Sequence, residues 1–263
     1  MKKIIALVLA TLMLCSCLTA CGNKAATLDS VKKDGKLTIA TSPDFPPFES
    51  LDSNGNVVGI EIEILKLICK DLGVELEIKQ MDVDSVLPGV QAGKYDVGVS
   101  GISVTPDREK NVKFTKPYCL AAQAIVVMEG SEIKSKADLE GKKVSVQSGT
   151  TAEDFCTTNG YTVSSFKANA DAQTALVDGK VAAWVIDDLT AADMVATYNK
   201  DHADKKLVIL DEAMTTEPYA FAFHLESGDL VEEVNKTIDK LLADGTIEKL
   251  FEEYGAPYTA PNK

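Results

Sequence analysis

The chain has 263 residues, 45% of them hydrophobic, with 40 acidic and 27 basic side chains and a formal net charge of −13. That acidity excludes a nucleic-acid-binding face, which needs basic residues to neutralise phosphates. His202 and His224 stand alone, and the cysteines beyond residue 21 lack metal-ligand spacing, so neither a metal nor a cofactor is expected.

Met1-Lys2-Lys3 and the apolar run from Ile4 to about Leu14 read as the basic and hydrophobic regions of a signal peptide, too short for a comfortable membrane span. The run closes on Leu18-Thr19-Ala20-Cys21, small residues before a cysteine. This predicts a leader over residues 1–20, lipid attachment at Cys21, and a chain anchored to the extracytoplasmic face of the cell membrane. An ordinary secreted protein cleaved nearby is the alternative. Residues 21–34 are expected to be a polar linker ending in a first turn or helix. Cys69 lies in a helical apolar pattern and reads as a small buried hydrophobe. An exported chain is permitted disulfides; a Cys119–Cys156 bridge is left open, without support from the sequence.

Lys36 to Ala40 reads as the first strand. Thr41 to Phe48 then carries three prolines, which cannot sit in a central ladder, and is expected to be a stiff loop holding Phe45 and Phe48. Residues 52–56 are a turn. Ile64, Ile68 and Leu72 share one face of a helix from Gly59 to Leu72, closed by Gly73. A strand over Val74–Lys79, a short helix over Ser85–Ala92 and a strand holding Val97 and Val99 follow. This alternation predicts a mostly parallel sheet flanked by helices, with ligands beyond the carboxyl ends of the strands. There, small and hydroxyl residues from Ser100 to Pro106 precede Arg108. Such a stretch exposes main-chain N–H groups and offers a two-pronged grip on a carboxylate. Its alternative is a surface loop with a solvated arginine.

Tyr118 to Met128 reads as one long apolar strand passing between domains. Strand Lys143–Gln147 enters a helix beginning at Ala152 through Ser148-Gly149-Thr150-Thr151, where free N–H groups can hold an anion and Thr150 can cap the helix. A strand over Val163–Phe166 and a helix over Asn169–Val177 lead to a near-repeat. Gly93-Lys94 and Gly179-Lys180 each end a helix and open a strand, and eight residues on stand Gly101 and Asp187. Two similar α/β domains presenting strand ends to one cleft is the simplest reading. Arg108 brings a cation and Asp187 a carboxylate, the pair an α-amino acid requires. Asp187 read only as the N-cap of the following helix is the competing interpretation. Trp184 is expected in the core, Lys206–Leu210 in a strand, and residues 217–223 in a return crossing. Two amphipathic helices are expected between Gly228 and Tyr254, and residues 257–263 are expected to fray.

Several segments, taken together and in order, identify a resemblance: Phe45-Pro46-Pro47-Phe48, the helix from Gly59, Gly101-Ile102-Ser103-Val104-Thr105-Pro106-Asp107-Arg108, Gln147-Ser148-Gly149-Thr150 and Asp187-Asp188. The chain resembles the polar amino-acid solute-binding lipoproteins of ABC importers, periplasmic binding proteins of the type II fold. The resemblance implies an α/β fold of two lobes, each a mostly parallel sheet flanked by helices, joined by two hinge strands near residues 118–123 and 215–219. Lobe 1 would span 35–119 and 219–263, and lobe 2 would span 120–218. It implies a free amino acid as ligand, an ABC permease as partner, a monomer, and no catalysis.

By the same likeness Phe45 packs on the ligand's side chain. Ser103 and Arg108, with backbone near Thr151, hold its carboxylate. The Gly101 carbonyl, the Ser103 hydroxyl and Asp187 receive its ammonium. Gln147 and Thr150 complete the set. Many relatives place a second aromatic where this chain has Val83, an aspartate where it has Ser42 and, in some glutamine binders, a lysine where it has Gln147. Asp44, Glu49 and Glu217 are the groups expected to restore a negative pocket. An enzyme on the same scaffold acting on a small carboxylated ring, and a receptor's ligand-sensing domain, are the rival functions.

Overall fold

A computed structural model describes residues 25–261. The expected leader and the Cys21 lipidation site lie outside the described residues. Helix α1 (Leu28–Asp34) starts where the Thr27 hydroxyl accepts from the Ser30 N–H and leads into β1 (Lys36–Thr41). The proline-rich stretch expected as a loop folds instead as a small antiparallel unit, β2 (Asp44–Phe45), β3 (Glu49–Leu51) and β4 (Val57–Val58). Pro46 and Pro47 fall in its turn, where no ladder hydrogen bond is needed. Helix α2 (Ile60–Leu72) follows and ends at Gly73, φ 72°. Then come β5 (Glu75–Gln80), α3 (Val83–Gln91) and β6 (Val97–Gly98).

Two elements that sequence reading missed come next, the single-turn α4 (Pro106–Glu109) and β7 (Val112–Phe114). The long strand expected over 118–128 is two strands, β8 (Cys119–Ala121) and β9 (Gln123–Met128), because the chain changes partners at Ala122. The second half runs β10 (Lys143–Gln147), α5 (Thr151–Thr158), β11 (Thr162–Phe166), α6 (Asn169–Val177), β12 (Ala183–Asp187), α7 (Asp188–Asp201) and β13 (Leu207–Ile209). It closes with β14 (Glu217–Tyr219), β15 (Ala222–His224), α8 (Gly228–Ala243) and α9 (Thr246–Glu253).

These strands build two five-stranded sheets of the same design, β5-β1-β6-β15-β7 and β11-β10-β12-β9-β13. In each, the first three strands are parallel and the fourth runs antiparallel to its neighbours. The expected two-lobed α/β architecture is therefore present, with sheets that are mixed rather than mostly parallel because the strand after the near-repeat strand runs the other way. The strands of the near-repeat, β6 and β12, occupy the same third place. Between the sheets, β8 and β14 form a separate antiparallel ladder, Cys119 opposite Tyr219 and Ala121 opposite Glu217. The carboxyl ends of β6, β10 and β12 meet at one cleft, as open α/β sheets present them.

Trp184 is fully buried, as expected, and Cys69, Cys119 and Cys156 are buried free thiols, so the Cys119–Cys156 bridge left open by the sequence is not made. The tail is not frayed where it is described. The Leu120 N–H donates to the Thr259 carbonyl at 2.9 Å, and the Tyr258 hydroxyl donates to the Tyr118 carbonyl at 3.2 Å.

Candidate ligand-binding site

The lobe-1 half of the cleft is built on the turn after β6. Gly101 has φ 52°, and a Cβ there would lie 2.4 Å from the Phe45 ring, so both the backbone and the aromatic lid demand glycine. Phe45 is itself stacked on Phe48, with ring centroids 5.8 Å apart. Ser103 reaches back to the Glu217 carboxylate. Arg108 sits on α4, whose start is set by Pro106 and by the Thr105 hydroxyl accepting from the Arg108 N–H at 3.2 Å. Its guanidinium donates to the Ser103 carbonyl at 3.1 Å and, across the cleft, to the Gly149 carbonyl at 3.2 Å. Burial lowers its pKa, while the negative charges of Asp154, Glu217 and Asp187 oppose that shift; a guanidinium stays charged throughout the ordinary pH range.

The lobe-2 half lies at the ends of β10 and β12. Thr150 does cap α5, accepting from the Glu153 N–H at 3.3 Å, and its hydroxyl donates to the Gln147 carbonyl at 2.7 Å. Thr151 donates to Glu217 at 2.7 Å. Asp187 occupies the N-cap position of α7 but makes no side-chain cap bond. Asp188 accepts the Leu189 N–H instead, which leaves the Asp187 carboxylate for other work. It accepts from Gln123 Nε2 at 2.9 Å and from the Tyr219 hydroxyl. Only 5% exposed, it has a pKa raised to about 8, first by burial and then by the charge of Glu217.

All eight residues expected around a ligand line this single interlobe cavity, joined by Val83. The remaining specificity candidates do not. Ser42 donates to Asp44 at 2.9 Å, and Asp44 turns across the cleft to accept from Gln147 Nε2 at 2.9 Å and the Asn169 N–H at 3.0 Å. Glu217 lies beneath the site and gathers the hydroxyls of Ser103, Thr151 and Thr215. Glu49 is fully buried beside Glu61, away from the cavity. Sequence reading missed Val86 and Leu87, which extend the apolar wall begun by Val83, and the cross-lobe contacts of Lys167 with Asp82 and Asp84 and of Asn169 with Asp44. The i, i+3 and i+4 spacing of Val83, Val86 and Leu87 on α3 was the available signal.

The lobes meet closely. The cavity between them is small, about 30 Å³. Gly149, at φ 79°, brings its backbone against Asp84, where a Cβ would lie 2.8 Å from the Asp84 Cα. Gly149→Val is therefore expected to hold the lobes apart and to weaken ligand binding by at least about tenfold. Small-angle scattering checks this: with ligand added, the wild type contracts and the variant does not.

The description "bacterial extracellular solute-binding proteins, family 3" matches residues 37–257. The chain is 31% identical over 242 residues to the arginine-binding extracellular protein ArtP of Bacillus subtilis (strain 168), covering 90% of this chain and 92% of the relative. It is 30% identical over 237 residues to the L-cystine-binding protein TcyJ of Escherichia coli (strain K12), covering 88% and 87%. A crystal structure of a mutant of ArgBP from T. maritima superposes with a TM-score of 0.81 at 37% identity, covering 87% of this chain and 98% of that one.

Proposed function

Because the chain belongs to the bacterial extracellular solute-binding proteins of family 3, we propose that it captures a small α-amino acid between its lobes and delivers it to an ABC-type importer. One observation carries the reading: Arg108 from the first sheet's side and Asp187 from the second face the same cavity. Arg108 and Ser103, with backbone near Thr151, take the carboxylate. The Gly101 carbonyl, the Ser103 hydroxyl and Asp187 take the ammonium, and Phe45 with Thr150 and Gln147 bounds the side chain. A zwitterion spares both lobes a buried unpaired charge. The ligand thus stabilises the closed arrangement it bridges, and binding rather than bond-making is the work done. Lobe 1 is residues 35–119 with 219–263, lobe 2 is residues 120–218, and β8 and β14 are the hinge. Given the small free volume, loading requires the lobes to part.

For the side chain, one reading is a cation. Asp44 does not line the cavity; among the described residues its carboxylate meets only neutral donors, the Ser42 hydroxyl, the Gln147 amide and the Asn169 N–H, and a cationic side chain would have to draw it inward by displacing them. ArtP is an arginine-binding relative. The second reading is a neutral side chain, favoured by the apolar wall of Val83, Val86 and Leu87. Calorimetry against L-arginine, L-lysine, L-glutamine and L-cystine separates them. Asp44→Asn is expected to weaken cationic ligands by about tenfold, the worth of roughly 1.4 kcal/mol, and neutral ligands far less. Equal loss for both classes would favour the neutral reading. The chain works as a monomer tethered through lipidated Cys21 to the outer face of the membrane. Cys21→Ala should abolish incorporation of a labelled fatty acid into the protein, as metabolic labelling would show.

A further inference from the structure

Behind Gly101, on the side away from the cavity, two carboxyl groups meet without a cation among the described residues. Glu49 on β3 and Glu61 in the first turn of α2 are both 0% exposed. The polar groups facing Glu49 are Glu61, Ser100, Asp44 and Tyr118. Two carboxylates side by side in a buried interior cannot both ionise without a cation between them. The donors decide which one keeps the charge. Glu61 accepts from the Tyr118 hydroxyl at 2.6 Å through one oxygen and from the Gly101 N–H at 2.9 Å through the other. Among the described residues no donor lies within hydrogen-bond reach of either Glu49 oxygen, although the Ser100 hydroxyl faces the group. A proton on Glu49, donated toward Glu61, supplies what both groups lack.

The pair also stands at a junction. Glu49 is the cross-strand partner of Phe45. Gly101 is the turn under that ring. Tyr118 immediately precedes hinge strand β8. We propose that Glu49 keeps its proton and that the pair is a positioning device in which the Glu61 carboxylate grips the Gly101 N–H and aims the Gly101 carbonyl at the ligand. The amino-acid reading supplies the ammonium that this carbonyl receives, and the proposal rests on that reading for its purpose. Burial, and then the charge of Glu61, push the Glu49 pKa well above the ordinary glutamate range, in keeping with the retained proton. Of the remaining groups near the pair, Tyr118 and Cys119 are raised by burial and stay neutral.

Amide hydrogen exchange at Gly101, read by NMR on the ligand-free protein, tests the grip. Glu61→Gln removes the charge that strengthens the bond from the Gly101 N–H, whichever way the amide is turned; exchange at Gly101 should quicken at least about tenfold and affinity for the amino acid should fall by about as much. Glu49→Gln keeps a donor toward Glu61. It should preserve Gly101 protection at pH 7 and abolish the loss of protection that the wild type shows when Glu49 gives up its proton as the pH is raised. Infrared spectra should count one protonated carboxyl fewer in Glu49→Gln than in wild type at pH 7, a reading that stands even if Glu61→Gln does not fold. Unchanged Gly101 exchange in Glu61→Gln, or equal carboxyl counts, would overturn the proposal. Failure of every amino acid to bind the wild type would instead strike the function proposed above, since exchange and infrared spectra are read without ligand.

Discussion

Arg108→Ala is expected to weaken amino-acid binding by at least roughly a hundredfold while the fold survives. Truncating one member of a buried, hydrogen-bonded charge pair costs about 2–5 kcal/mol, much of it from the partner left unpaired. The ligand's carboxylate would be that partner, shut between two lobes. The protein itself loses little, because Arg108 gives up two hydrogen bonds to carbonyls, those of Ser103 and Gly149, and its host helix is a single turn at the rim. Arg108→Lys should fall between wild type and alanine, since an ammonium keeps the charge but not the planar fork. Calorimetry with circular-dichroism melting reads both halves. Unchanged affinity, or a melting temperature that collapses along with affinity, would contradict the assignment.

The second large effect is a pH response with opposite signs for binding and stability. Burial and the Glu217 charge raise the Asp187 pKa from 3.8 to about 8. An ammonium needs the ionised carboxylate, so below pH 8 a proton must leave as the ligand enters. Affinity should therefore rise from pH 6 to pH 8 by up to about tenfold per unit. The ligand-free protein behaves the other way. In the folded state Asp187 holds a proton that the unfolded chain releases near its ordinary value, so the native state binds more protons between those limits. Its contribution to stability is lost as pH rises from about 4 to about 8, by at most about 1.4 kcal/mol per unit. Asp187→Asn should flatten both trends. Titrations at pH 6, 7 and 8 in two buffers of different ionisation enthalpy would register the released proton, and affinity that fell with rising pH would contradict the role given to Asp187.

Much of the cleft was legible because it is built from local chain signals. Gly101 and Asp187 each follow a helix-ending Gly-Lys by the same interval, and the two strands between occupy equivalent places in equivalent sheets. Helix α4 had a legible start in Thr105-Pro106, yet the hydroxyl-rich stretch before it reads equally as loop. The break at Ala122 had no local signal. An apolar run looks the same whether its partner is β14 or β12, and the exchange of partners alone divides it. Asp44 shows the same limit. Its partners Gln147 and Asn169 lie 103 and 125 residues away, so its turn away from the cavity is a property of the closed lobes and not of its neighbourhood. Glu49 is the plainest case. An acidic residue before a turn ordinarily means a solvated face, and only its apposition to Glu61 shows it to be fully buried.

The proposed site reads both ends of an α-amino acid at once. The most direct measurement is calorimetric titration of the purified protein with the twenty amino acids and L-cystine, followed by the best ligand's N-acetyl and methyl-ester forms. One-to-one binding of at least one free amino acid, with both blocked forms failing, is the predicted result. Heat from none of the free amino acids, or a blocked form that binds as tightly as its parent, would contradict it.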